Sequence, residues 1–344
     1  MKQILLLLVA SIVAISFAKS SNAEGHDIYG PWPVTLNGYS GDKTDSTSYS
    51  GQIARHALHD SLKSLASKGD ADEMMAYFSG SDKNKSIIGP SSKDDFVFKQ
   101  TLMNELSKGK NLSGKTYKGV INGWPGGMTG PEVLEFMIEK AALAPKGFDA
   151  STGYNYPQLI SKFTMGAVFY NQAVDGYLDE KLAPDVKPNN KAYKDGAHYT
   201  GKEHVWDEAW GYWGAAAHTL RLTAEQSYNV AKKKDMVSAD FNGDGLVDMK
   251  SEYTFAHAYY AASFDKGGKT NYLETITKAF IHGREVIASA NGRSLNFDER
   301  TKLLSHRDTI VKNWEKVIAE AVFKYAGSVY KDMGKLEDDA SDKN

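Results

Sequence analysis

The chain of 344 residues has no cysteine. That absence excludes disulfides, thiolate metal sites and a lipid-bearing N-terminal cysteine. Proline is scarce, nine residues, and none falls within 203–222, so nothing there interrupts a helix. No basic run exceeds Lys232-Lys233-Lys234, and nucleic acid is therefore excluded as a partner. Past the N-terminus, no apolar run approaches the roughly 20 residues of a membrane-spanning helix, so no stable membrane span is expected. HExxH, GxSxG, P-loop and dinucleotide-binding motifs are all missing.

What is present begins with Lys2, the apolar stretch Ile4–Phe17 and the small residues Ser21-Asn22-Ala23. A basic start, a short apolar centre and a small-residue exit describe a secretory signal peptide over 1–23, cleaved near Ala23. A disulfide-free exported chain is expected in the periplasm or secreted. Taking Lys2 and Lys19 from the 41 basic residues leaves 39 against 43 acidic ones. Residues 24–48, with Pro31-Trp32-Pro33, read as an extended leader pinned by Trp32 and Tyr39.

The densest chemistry lies in 203–218, where Glu203, His204, Asp207, Glu208 and His218 alternate with Trp206, Trp210, Tyr212 and Trp213. The spacing predicts a helix from about Lys202 to Leu222. Positions three and four apart share a helix face, which groups His204 with Asp207 and Glu208 beside an aromatic stripe. Carboxylates against bulky aromatics fit a partly desolvated pocket wall with shifted pKa values. They fit an amphipathic core helix as well.

Before this stretch, 48–69 predicts a helix with Ile53, Ala57, Leu58, Leu62 and Leu65 inward and Gly69 as its cap. Arg55 on that helix can recognise a carboxylate or phosphate, or act as an ordinary ion-pair partner. A short helix is expected at 71–78, another over Asp94–Leu106, and an irregular excursion over 108–130. A helix follows from Thr129-Gly-Pro131-Glu132 to Ala144, and a long one over 156–182 carries Phe163, Ala167, Tyr170, Ala173, Val174 and Tyr177 as its buried stripe. Helices are further expected over 223–234, 251–264, 271–290 and 297–331, with a frayed charged tail over 334–344. The fold class is all-α: an antiparallel helical bundle, or two packed bundles, spanning 49–333 with a sub-boundary near 183–200.

Asp240, Asn242, Asp244, Gly245 and Asp248 occupy positions 1, 3, 5, 6 and 9 of an EF-hand-like loop. Calcium takes six to eight oxygens, and this spacing wraps those side chains and the Leu246 carbonyl around one ion. Position 12 is Ser251, and the acid arrives one place later at Glu252. Calcium is the expected cofactor, with iron or zinc as further candidates through the histidines. His56 and His59 are three apart, and His282-Gly283-Arg284-Glu285 is an HxxE pair whose glycine allows close helix approach. His218 and His257 read as core histidines.

The segments YSGQIARHALHDSL (49–62) and HVWDEAWGYWG (204–214), with the long C-terminal helix, resemble the secreted bacterial family filed as domain of unknown function 4856. In outline that family is similar to imelysin-like periplasmic proteins linked to iron uptake. Those carry G-x-H-x-x-E, of which this chain has only His282 and Glu285. The resemblance implies an exported all-helical protein over nearly all of the mature chain and points to Gln52, Arg55, Trp206, Asp207, Glu208 and Tyr212 as its site. It implies no reaction.

These observations lead to an exported binding protein for a small molecule or metal ion, without established catalysis. Arg55 would pair with Asp207 or Glu208 beside Trp206, Trp210 and Tyr212. A metal-dependent hydrolase or peptidase using His56, His59, His204 and His282 stays open, as does a surface-interaction protein rigidified by calcium.

Overall fold

The computed structural model describes residues 26–80, 84–89 and 96–341. The expected signal peptide and its cleavage point at Ala23 lie outside those residues. So does Asp94, where one of the expected helices would begin.

Eleven α-helices are present among the described residues. They are α1 (Ser50–Leu65), α2 (Ala71–Phe78), α3 (Met103–Leu106), α4 (Gly130–Leu143), α5 (Tyr156–Thr164), α6 (Gly201–Trp213), α7 (Ala224–Ala231), α8 (Met236–Ala239), α9 (Ala256–Asp265), α10 (Tyr272–Ser289) and α11 (Phe297–Ser341). One two-residue hairpin, β1 (Phe148–Asp149) with β2 (Tyr154–Asn155), is the single named sheet among the described residues. The protein is mostly helical, as its apolar periodicity predicts.

Helix α6 is the axis of the molecule. All but two of its residues, His204 and Glu208, are buried, which is the signature of a helix surrounded by others. Helices α1, α9 and α10 pack on it, as does the segment between 165 and 182. Two glycines let the helices approach. A Cβ on Gly211 would stand 2.7 Å from the Gln52 Cβ of α1, and one on Gly283 of α10 would stand 2.1 Å from Trp206 Cζ2. The short loop between α10 and α11 folds these two into a helical hairpin.

Thr200 caps α6: its amide donates to Glu203 Oε2 at 2.7 Å, and its hydroxyl accepts from the Glu203 amide at 3.3 Å. The helix stops at Gly214, left-handed with φ of 80°, and not at Leu222 as its composition predicts. Beyond it the backbone bonds elsewhere: Phe255 N donates to Gly214 O at 2.7 Å, and Ala217 N donates to Ser251 O at 2.7 Å. Those contacts outweigh the helix propensity of the alanine run.

Other boundaries also move. The stretch from Phe96 to Gln100 is extended, leaving only α3 of the helix expected there. The 156–182 helix is α-helical only to Thr164 and then π-helical over Met165–Tyr170 and Gln172–Asp179. Ala173, Val174 and Tyr177 are buried as predicted, but Phe163 only partly, and so are Ala167 and Tyr170, where the wider π turn rotates the stripe. Helix α11 continues through the expected frayed tail to Ser341. The leader is held by Trp32 and Tyr29, each 1% exposed, whereas Tyr39 is half-buried.

Candidate functional site

The two faces of α6 carry two different polar clusters. On one, Arg284 of α10 enters fully buried. Its Nε donates to Asp207 Oδ1 at 3.0 Å, its Nη1 to Glu203 Oε1 at 3.3 Å and its Nη2 to Ser46 Oγ at 2.7 Å. The leader completes the cluster. Tyr29 Oη donates to Asp207 Oδ1 at 2.7 Å, Ser48 N to Asp207 Oδ2 at 2.9 Å and Thr35 Oγ1 to Glu203 Oε1 at 2.9 Å. Burial pushes the Asp207 carboxyl up to about 6, against the pull of Arg284, Tyr29 and Ser48. Every oxygen of the two carboxylates has a donor, and solvent is excluded. This is a buried ion cluster that joins α6, α10 and the leader.

The pairing of Arg55 with Asp207 expected from sequence is therefore replaced by Arg284. The reason is geometric: Asp207 and Glu208 are adjacent, and successive helix residues point about 100° apart. Trp206 and Trp210 follow Asp207 away from Arg55. Trp206 Nε1 donates to Phe280 O at 2.8 Å, and the Trp210 ring stacks on Tyr29 with centroids 4.1 Å apart.

The opposite face brings Gln52, Arg55, Glu208 and Tyr212 together. Gln52 Nε2 donates to Glu208 Oε1 at 2.8 Å. Arg55 is anchored by Nε to Asn111 O and by Nη1 to Gly51 O, both at 3.1 Å. The Tyr212 hydroxyl is buried beside the Arg55 guanidinium. His204 Nε2 lies 3.7 Å from Glu208 Oε2. Burial, mainly, lowers the imidazole to about 4, so it is neutral at pH 7 and no ion pair forms. Among the described residues, Glu208 Oε2, Tyr212 Oη and His204 Nδ1 have no hydrogen-bond partner of ordinary geometry.

The excursion that follows α3 adds two cations. Lys110 and Lys115 are partly desolvated, which lowers both ammonium groups, and each feels Arg55 as a neighbouring positive charge and Glu208 as a negative one. Tyr177 from the π-helical segment closes the wall beside Glu208, and burial followed by that carboxylate raises its hydroxyl. The face thus holds three cations around one carboxylate. Sequence reasoning missed Lys110 and Lys115, because their segment is irregular and carries no period. It also missed Arg284 as a core residue, although Phe280, Arg284 and Ile287 share one buried stripe of α10.

The loop at 240–252 folds around its own backbone. Asp240 Oδ1 accepts from Gly243 N at 2.9 Å and its Oδ2 from Gly245 N at 2.8 Å, and Asn242 Oδ1 accepts from Asp244 N at 2.8 Å. Asp244 Oδ1 accepts from Leu246 N at 3.0 Å, and Asp248 Oδ1 accepts from Gln100 Nε2 at 2.8 Å. Glu252, one place late in sequence, reaches back: its Oε1 accepts from Asn242 N at 3.2 Å and its Oε2 from Asp248 N at 2.7 Å. Burial, with Asp240 and Asp248 close by, raises its carboxyl. Val247 pairs in parallel with Phe98, and Lys99 Nζ sits 3.5 Å from Asp244 Oδ2 and 3.9 Å from Asp248 Oδ2. Helix α8 enters the loop directly, whereas the exiting helix, α9, starts only at Ala256. The residues 253–255 separate it from Glu252, unlike the continuous helix of an EF-hand.

The histidines do not converge. His56 Nε2 bonds Gly211 O at 3.0 Å, and His59 bonds Asp60 through Nδ1 at 3.0 Å and Ser161 Oγ through Nε2 at 2.9 Å. His204 packs on Tyr199, and His282 lies 5.7 Å from the ring of His306. Glu285 of the HxxE pair accepts from His26 N at 2.9 Å. His218 Nε2 bonds Ser238 O at 2.9 Å, and His257 packs against Trp314, as core histidines. Among the described residues, no group of three or more His, Asp or Glu side chains is poised to hold a metal ion. No helix among them is long and apolar enough to cross a membrane.

No curated protein and no solved structure matches the chain. Residues 144–303, which hold α6, the acidic loop and α10 but neither the Gln52–Arg55 segment nor most of α11, match the family model described as domain of unknown function (DUF4856), and over that segment the chain is similar to that family.

Proposed function

We propose that this is an exported, non-catalytic binding protein whose ligand is a small zwitterion held on the Glu208 face of α6. The observation that carries the reading is the set of open valences there. Glu208 Oε2 and Tyr212 Oη have no hydrogen bond of ordinary geometry among the described residues, with His204 and Tyr177 beside the first and Arg55 beside the second, and Arg55, Lys110 and Lys115 bring positive charge to this face. A ligand ammonium would meet Glu208, and its carboxylate would meet Arg55 and the lysines, the geometry by which amino acids are recognised. The test is a thermal-shift panel of the common α-amino acids, followed by calorimetry. At least one should raise the melting temperature, and Arg55→Gln should remove the effect while leaving the circular dichroism unchanged. A panel with no response in the wild-type protein contradicts the reading.

We further propose that the acidic loop is a structural calcium site, although its carboxylates are not gathered into a metal-holding group in this structure. Its support is the oxygen spacing of Asp240, Asn242, Asp244, Leu246 and Asp248, together with the return of Glu252 into the loop. Lys99 competes for the outer oxygens of Asp244 and Asp248. Calcium titrated into chelator-treated protein should therefore bind more tightly in Lys99→Ala than in wild type. An absence of calcium heat in both proteins rules the site out.

A second reading, a surface-interaction protein, draws on α11. There Val322, Phe323, Val329 and Tyr330 are 59% exposed or more, an apolar surface on a single helix. Sedimentation at rising concentration separates the readings, since a self-associating or capture surface would shift the monomer.

A further inference from the structure

A polar cavity, separate from the Glu208 face, lies one turn further along α1. Its volume is about 450 Å³, within the range of small-ligand sites. Four ammonium-bearing side chains line it: Lys63 from α1, Lys162 from α5, and Lys232 and Lys233 from the end of α7. Among the described residues the cavity is lined by one carboxylate, Asp60, which is already bonded by His59 Nδ1 at 3.0 Å. Tyr253, Phe255, Tyr259 and Tyr260 form an aromatic part of the wall, and Gln158, Ser161 and Thr254 add uncharged polar groups.

The charge balance is the telling feature. Burial pushes the Lys162 amine down to about 8, and Lys63 and Lys232 add repulsion that Asp60 offsets only in part. Its Nζ sits 4.9 Å from the Tyr260 ring centroid, and Lys232 Nζ sits 4.9 Å from that of Tyr259. Ring faces soften an ammonium but do not neutralise it. The desolvated Lys162 ammonium beside Lys63 and Lys232, with Asp60 as the one lining carboxylate among the described residues and tyrosine rings alongside, forms a receptor for an anion carried on a flat apolar body. The oxygens of such a ligand would bridge the ammonium groups, and its ring would stack among the tyrosines.

We infer that this cavity binds a small aromatic anion, a carboxylate or phosphate borne on a single ring. The site needs neither the acidic loop nor the Glu208 face.

The test uses the full chain with phenyl phosphate, benzoate and inorganic phosphate as probes, read by calorimetry and thermal shift. Phenyl phosphate or benzoate should bind and raise the melting temperature, and inorganic phosphate should bind at least about tenfold more weakly, lacking the ring. Lys162→Gln should weaken the aromatic probe by about tenfold or more, as loss of a charge-assisted contact does. Lys162→Arg should retain most of the affinity, and Arg55→Gln should leave it unchanged. No binding of either aromatic probe to wild-type protein overturns the inference. Equal affinity of phenyl phosphate for wild type and Lys162→Gln also overturns it, as does binding that Arg55→Gln abolishes. Should Lys162→Gln fail to fold, Lys63→Gln, on a half-buried residue, reads the same loss.

Discussion

Asp207 and Glu208 are neighbours in sequence and opposites in environment. Asp207 is fully buried, with Arg284, Tyr29 and Ser48 donating to its two oxygens. Glu208 is only partly buried, has Gln52 on one oxygen and leaves the other, with His204 Nε2 3.7 Å away, without a hydrogen bond of ordinary geometry among the described residues. Both sit beside cations and aromatic rings, so residue type does not separate them. What separates them is whether every valence is met. A closed cluster stabilises one arrangement of α6, α10 and the leader, whereas an open one is available to a ligand. The Arg55 and Arg284 guanidiniums divide the same way, the first held by the backbone carbonyls of Asn111 and Gly51 and the second by the two buried carboxylates.

The comparison can be broken most forcefully at Arg284. Arg284→Met removes the cation while Asp207 and Glu203 stay buried, and the expected loss is about 3–5 kcal/mol in urea unfolding. A loss near zero would mean that the closed cluster holds nothing together.

Acid should act next. His56 and His257 are fully buried, and burial, the leading cause, lowers both from 6.5 to about 3. The unfolded chain then takes up protons first, so stability is complete above pH 6.5 and falls as pH drops from there toward 3. Asp207, raised to about 6, binds its proton preferentially in the fold and offsets part of the loss over pH 6 to 4. His204, lowered to about 4 mainly by burial, adds to the loss, and the net loss by pH 4.5 should be on the order of 6 kcal/mol, read from urea midpoints at stepped pH. Stability that stays flat down to pH 4.5 would show that these rings are not held neutral.

Gly283→Ala sharpens the packing side. Its methyl would collide with Trp206, and the expected cost is about 1–3 kcal/mol from overpacking. The Trp206 fluorescence should shift with it, while Arg55 and Glu208, across α6, keep their geometry. An unchanged midpoint would mean that α10 has room to move.

Much of this was legible in the sequence. Thr129 and Pro131 mark the start of α4, Pro145 follows its end, and Gly283 announces a close helix crossing. The pattern of Trp206, Asp207, Glu208 and Tyr212 identifies α6 as the centre. The sequence did not reveal which carboxylate meets which arginine. Asp207 and Arg284 are 77 residues apart, and Ser46 and Ser48 reach them from a leader that has no period to read. The π-helical turns at 165–179 were hidden because their apolar residues also satisfy an α-helical template. Gly214 ends α6 early through bonds to Phe255, a partner that local propensity does not encode.

The account stands on the claim that Asp207 is structural and Glu208 is available. Urea unfolding of Asp207→Asn and Glu208→Gln, side by side at pH 7, tests it most directly. The account predicts a loss of roughly 3 kcal/mol or more for Asp207→Asn and less than about 1 kcal/mol for Glu208→Gln. Equal losses, or a larger one at Glu208, would contradict it.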